Sequence, residues 1–250
     1  MAFTEGVIVI PARYESSRLQ GKPLADIGGK SLIQRTYARA ILSGIESVVV
    51  TDSERIRVHC EEERIPVTMI TEPCATGTDR VARYVEQYAS EKKWVINLQG
   101  DEPFANPADI LAVARILATN DDYSYVINGM KRIESYEKFY SDSIPKVLCD
   151  SASFLQYMSR APVPFPFQGK PLDAWEQVCI YGFRPWHLRK FLEQKTKTYY
   201  EAIEDIEILR FLEIGIRVRM VELQGSPLHV DTPADLMEAI RICHLYDRKE

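Results

Sequence analysis

The run Val7-Ile-Val-Ile10 is apolar at four consecutive positions, is bounded by Gly6 and Pro11, and passes straight into a polar loop. A short strand with no polar alternation reads as buried on both faces, and such strands belong to sheets layered between helices. The loop behind it, Ala12 to Leu24, carries Arg13, Arg18 and Lys22. Open α/β sheets present ligands at the carboxyl ends of their strands. Guanidinium and ammonium groups gathered there suit a polyanion such as a triphosphate, although taken alone the stretch reads equally well as a solvated basic loop.

The rest of the chain repeats this grammar. Apolar residues at 32, 33, 37, 40 and 41 predict a helix over Lys30–Ser43, stopped by Gly44. Ser47–Thr51 and Pro66–Ile70 read as strands, with a helix between them that is capped by Asp52 or Ser53 and runs to Arg64. Thr76 or Thr78 caps a helix to Glu91, Trp94–Leu98 is a strand, and Asn106-Pro107 opens a helix to Ala118. Strands alternating with helices predict an α/β fold with a doubly wound, mainly parallel sheet.

After a strand at Tyr123–Met130 and a short helix at Glu134–Tyr140 the pattern changes. Pro145–Asp150, Ser153–Met158 and Gln177–Arg184 are strands without long helices between them, which predicts an inserted antiparallel ribbon. A helix over Glu204–Glu213, a strand over Ile216–Glu222 and a last helix, with Thr232 as cap and Pro233 first, to Tyr246 complete the expectation. Gly28-Gly-Lys-Ser31 is no P-loop, because Leu24 stands where that pattern needs glycine. No G-x-G-x-x-G follows the first strand either.

Two acidic positions stand out. Asp101 follows Gln99-Gly100 at the end of a strand, where a carboxylate can hold Mg²⁺, which takes one or two carboxylates together with phosphate oxygens and water. A turn aspartate bonded to its own backbone is the plainer reading. Asp231 precedes the cap of the last helix, where its plainer role is that of an extra capping group.

The ordered motifs Val7 to Leu24, Thr76-Gly-Thr-Asp-Arg80, Asn97-Leu-Gln-Gly-Asp-Glu-Pro103, Tyr157-Met-Ser-Arg-Ala161, Ile180-Tyr-Gly-Phe-Arg184 and Val230-Asp-Thr-Pro-Ala-Asp-Leu236 resemble those of the CMP-KDO synthetases (3-deoxy-manno-octulosonate cytidylyltransferases), relatives of the CMP-sialic acid synthetases. The resemblance spans almost the whole chain. It implies a Rossmann-like nucleotidyltransferase domain over residues 1–250, with 140–200 as a sugar-site and dimerisation insertion. It further implies a CTP site made by Arg13, Ser16, Arg18, Lys22, Thr76, Gly77, Arg80 and Gln99. Asp101 and Asp231 would be the Mg²⁺ ligands, and Gln99, Arg160, Gln177, Tyr181 and Glu207 would form the sugar-acid site. Arg13, Lys22, Asp101 and Asp231 would carry the transfer, with Arg13 and Lys22 on the β- and γ-phosphates, and the assembly would be a homodimer.

Three departures bear on the sugar. Gln177-Val-Cys179 replaces histidine-isoleucine-glycine, Ile208 replaces a glutamine, and Cys74 replaces a histidine. The expectation from Ile208 is a lost donor and acceptor in the sugar pocket, so that a related acid, such as the 8-amino analogue or a nonulosonate, competes as substrate. A catalytically silent nucleotide-binding module is the alternative from another class. No histidine falls where a general base would be expected.

Composition limits the rest. A net charge of −5 argues against nucleic-acid partners. Five cysteines with no CxxC pair indicate neither zinc nor a disulfide framework, and hence a reduced, cytosolic setting. No run approaches a membrane span and no signal peptide is evident.

Overall fold

In a computed structural model that describes residues 3–15, 19–120, 122–167, 173–225 and 228–247, every residue of strand β1 (Gly6–Ala12) is buried. Its side chains enter two cores in alternation: Val7 and Val9 join one cluster, Ile8 and Ile10 the other. A glycine turn with Gly28 at φ 63° and Gly29 at φ 85° makes the hairpin of β2 (Asp26–Ile27) and β3 (Lys30–Ser31). Helix α1 (Leu32–Ile41) therefore starts two residues later than Lys30, at a capping box of Ser31 and Gln34. Strand β4 (Ser47–Thr51), helix α2 (Glu54–Glu62), strand β5 (Val67–Met69), helix α3 (Gly77–Tyr88), strand β6 (Trp94–Leu98) and helix α4 (Pro107–Thr119) follow in the expected alternation.

Among the described residues, nine strands form one sheet. Its first half runs β5-β4-β1-β6, all parallel. The chain then adds β7 (Tyr125–Arg132), α5 (Tyr136–Tyr140), β8 (Lys146–Cys149), β9 (Leu155–Ser159) and β10 (Trp175–Phe183). Strand β10 lies between β6 and β7, antiparallel to both, and also pairs with β8, which pairs with β9. The predicted ribbon is thus grafted onto the main sheet through a reversed strand. The order changes direction at β1 and β6, and there the carboxyl ends of the parallel strands open a crevice.

Three helices follow β10 before the next strand. Helix α6 (Pro185–Glu193), absent from the sequence reading, starts with proline at its first position and packs on α3. His187 secures it: Nδ1 accepts from the Arg184 amide at 3.0 Å and Nε2 meets the Tyr123 carbonyl at 3.0 Å. The ring is fully buried and satisfied as the neutral form. Burial pushes its pKa down to about 4. The unfolded chain would take up a proton near the ordinary value, so stability from neutral His187 is complete above about pH 6.5 and is lost as pH falls through 4. The unfolding free energy from urea titrations should drop across that window by up to about 3 kcal/mol, and His187→Gln should flatten the slope.

A correction follows at residues 204–213. One helix was expected; the structure has α7 (Tyr199–Glu204) and α8 (Leu209–Glu213), separated at Asp205 with φ 52°. Aspartate is among the few residues that tolerate this left-handed conformation. Strand β11 (Arg217–Glu222) then pairs parallel to β7, and α9 (Pro233–Ile242) and α10 (His244–Asp247) return to the β2–β3 hairpin. Arg35 of α1 binds Asp247 at 2.7 Å and the Ile27 carbonyl at 2.6 Å, which ties the last helix to the first loop.

Candidate active site

A cleft of about 270 Å³ opens where β1 and β6 end. Arg13, Lys22, Thr76, Gly77, Arg80, Gln99, Asp101, Arg160, Gln177, Tyr181, Glu207 and Asp231 all line it. Ser16 and Arg18, also expected here, lie outside the described residues.

The backbone makes the centre possible. A Cβ on Gly100 would sit 2.6 Å from the Pro11 carbonyl oxygen, so only glycine lets the end of β6 approach β1 this closely. Beyond it, the Val230 amide donates to the Asp101 carbonyl at 3.1 Å and brings the chain before α9 alongside. Thr232 and Asp235 cap α9 between themselves, and the Asp231 carboxylate is left to face the cleft. Its plainer role as a capping group is therefore not what the side chain does.

Lys22 lies between the two acids. Its ammonium donates to Asp101 at 2.7 Å and to Asp231 at 2.8 Å. Burial by itself would push the Lys22 pKa down, but the two carboxylates outweigh it and raise it. Burial likewise opposes the charge on Asp101, and the Lys22 and His229 cations hold that carboxyl below its ordinary value. Lys22 thus lines the cleft with its ammonium held by the two acids. The same geometry meets the test for a cation site, because two carboxylates converge on one positive atom and their oxygens are the donor type that suits a hard divalent ion.

The start of α3 is held by acidic side chains. Thr76 spends its hydroxyl on a capping box with Asp79. The amides of Gly77 and Thr78 donate to the Glu207 carboxylate at 3.0 and 2.9 Å. Glu207 lies between the break at Asp205 and the start of α8. Arg80 binds Asp52 at 2.6 Å. Burial raises the Glu207 pKa, against the amides that lower it.

Arg160 is held by the backbone around it. Its guanidinium donates to the carbonyls of Glu204, Asp142, Ser143 and Asp205 at 2.6 to 3.3 Å. Glu204 in turn accepts from Ser159 and from the Arg160 amide. The Tyr157-Met-Ser-Arg160 motif thus clasps the ribbon to α7. Lys146, buried under the same corner, donates to the carbonyls of Ser141, Ile144 and Arg160.

On the remaining wall, Gln177 donates to Asn128 at 2.9 Å and to the Tyr181 hydroxyl at 3.3 Å. Asn128 donates to the Val178 and Ile180 carbonyls, filling an irregularity in the β10–β7 register. Of the departures noted in the sequence, Gln177, Cys179 and Cys74 reach the cleft. Ile208 does not: it is 1% exposed and packs in the hydrophobic core, so it removes no polar group from the site. His229, overlooked in the sequence, lines the cleft two residues before Asp231. Burial opposes its charge, yet Glu102 and the two aspartates raise its pKa to about 9. At neutral pH it is a cation, unsuited to act as a base.

The sequence pattern of the family described as "Cytidylyltransferase" matches residues 7–220. The chain belongs to the cytidylyltransferase family. A 3-deoxy-manno-octulosonate cytidylyltransferase of Porphyromonas gingivalis is 36% identical over 245 residues, which span 95% of this chain and 96% of that protein. One from Vibrio campbellii is 37% identical over 251 residues, 96% and 97% of the two chains. The structure of a CMP:2-keto-3-deoxy-manno-octonic acid synthetase complexed with CTP superposes with TM-score 0.87 at 33% identity, covering 96% of this cytidylyltransferase and 99% of that chain. The fold class expected from the sequence, a Rossmann-like nucleotidyltransferase with a mainly parallel sheet, is the one observed. Among the described residues, no helix of the cytidylyltransferase is long and apolar enough to cross a membrane.

Proposed function

We infer that this cytidylyltransferase joins CTP to a 3-deoxy-2-ulosonic acid of the 3-deoxy-manno-octulosonate kind, giving the CMP-sugar and pyrophosphate. The observation that carries the reading is the convergence of Asp101 and Asp231 on one positive atom, beside Arg13, in the crevice between β1 and β6. The anomeric hydroxyl would attack the α-phosphorus, forming the new O–P bond as the bond to the β-phosphate bridge breaks and the hydroxyl proton passes to solvent. Transfers of this type are driven mainly by positioning and charge neutralisation. Asp101 and Asp231 would hold Mg²⁺, which would polarise the phosphate and neutralise charge facing the nucleophile.

The chain's own groups supply the rest. Arg13, with Ser16 and Arg18 on the same loop, would take the triphosphate tail. Lys22 and His229 offset the charge of Asp101, Asp231 and Glu102 around the cleft, so a polyanion would rely on Arg13 and its loop and on the divalent ion. Gln99 and the rim of α3 around Thr76, Gly77 and Arg80 would border the base. Gln177, Tyr181 and Glu207 would border the sugar, with Arg160 shaping that wall through the ribbon. The whole chain would work as one domain in which residues 140–200 serve the sugar and a homodimer contact. Exposed Phe165 and Phe167 on that segment, at 77% and 65%, support the contact. The five cysteines are all free, and a cytosolic setting would keep them so.

Pyrophosphate release with CTP and a panel of sugar acids tests the reading. Release is expected with 3-deoxy-manno-octulosonate, is expected to stop on addition of EDTA, and should return with excess Mg²⁺. Faster release with the 8-amino analogue or a nonulosonate would reassign the acid, and release with none would leave a binding module.

A further inference from the structure

Beside the aspartates lies a group of different chemistry. Glu102, Cys179 and His229 come from three parts of the chain: the turn after β6, the register irregularity of β10 and the segment before α9. A sulfur, an imidazole nitrogen and a carboxylate oxygen from them all lie within 4.8 Å of one another. Glu102 is 2% exposed. No hydrogen bond of good geometry reaches its Oε1, which lies directly against Nδ1 of His229. Cys179 and His229 both open on the cleft, so an ion has a path in.

The arrangement is held from outside. Asn128 fixes the carbonyls on either side of Cys179, and Gln177 fixes Asn128. The Val230–Asp101 backbone bond holds the His229 segment against the turn that carries Glu102. A bulge that re-aims a side chain beside a cleft is a common device of strands near functional sites.

We propose that Glu102, Cys179 and His229 form a binding site for a thiophilic divalent cation such as Zn²⁺ or Co²⁺, separate from the oxygen site of Asp101 and Asp231. Three ligands of the types Cys, His and Glu, with a fourth position left to water, match four-coordinate zinc chemistry. Thiolate and imidazole ligands select such ions over Mg²⁺, which takes oxygen donors. Binding displaces one proton from the thiol and one from the imidazolium to solvent. The cysteine count and spacing conceal this site, because its ligands share no local motif.

Cobalt reports the site directly. Co²⁺ titrated into the full chain in excess Mg²⁺ should give, at one equivalent, a thiolate-to-metal charge-transfer band and the strong visible bands of four-coordinate cobalt, and Zn²⁺ should bleach both. Cys179→Ser should abolish the charge-transfer band and weaken Co²⁺ binding by at least about 100-fold. His229→Gln should weaken it to a similar degree, while Asp231→Asn should leave the band in place. No charge-transfer band in the native chain, or an equal band surviving in Cys179→Ser or His229→Gln, would overturn the proposal. Circular dichroism establishes that each variant is folded, and should Cys179→Ser fail to fold, His229→Gln decides. Neither result depends on pyrophosphate release, so this proposal and the transferase reading stand or fall separately.

Discussion

Asp101→Asn is expected to cut turnover by about 10³-fold while CTP affinity changes by less than about tenfold, the pattern of a group that acts mainly in the transition state. The carboxylate has two tasks, and both depend on its charge. It shares a cation position with Asp231, and it balances Lys22 and His229. Asparagine keeps the shape and the backbone bond from Val230, so the site should stay assembled while losing half of its anionic pair. Pyrophosphate release and CTP binding measured on the same sample separate the two effects. Turnover near the native rate would end the assignment of Asp101 as a cation ligand.

Arg210→Met should cost about 3–5 kcal/mol of folding stability, because it leaves two buried carboxylates without their partner. Arg210 is fully buried, donates twice to Glu201 at 2.7 Å and to Asp79 at 2.8 and 3.4 Å, and lies over the Phe191 ring. Asp79 also closes the cap of α3, so the loss should extend to the cleft and raise KM for CTP. Urea unfolding at constant m-value gives the stability term. A companion variant, Arg210→Met with Glu201→Gln, should recover part of it, because one stranded charge is gone. A loss below about 1 kcal/mol in the single variant would mean that the cluster relaxes to solvent.

Legibility followed the range of the interactions. Ser47–Thr51 and Trp94–Leu98 were readable to the residue, because an apolar run between polar ends is a local signal and both faces of those strands are buried. The caps at Thr76, Asn106 and Thr232 were readable for the same reason. The helix expected over 204–213 was not, because its break serves Glu207, whose partners are the amides of Gly77 and Thr78, distant in sequence. At Arg160 the motif shows residue type without showing the four carbonyls that fold around it. Ile208 looked like a lost pocket residue because strand and helix faces near a break cannot be assigned from spacing.

The sequence alone determined the layered α/β class, the crevice between the first strand and the strand before Asp101, and the residue types gathered there, since hydrophobic periodicity and cap chemistry are written within a few residues of where they act. Only the tertiary structure decided which charges meet. It placed Lys22 between Asp101 and Asp231, aimed Glu207 at α3, and set His229 beside Glu102 and Cys179. Charge pairing in a crevice depends on distance through space, and the chain order carries no record of that distance until the sheet has closed.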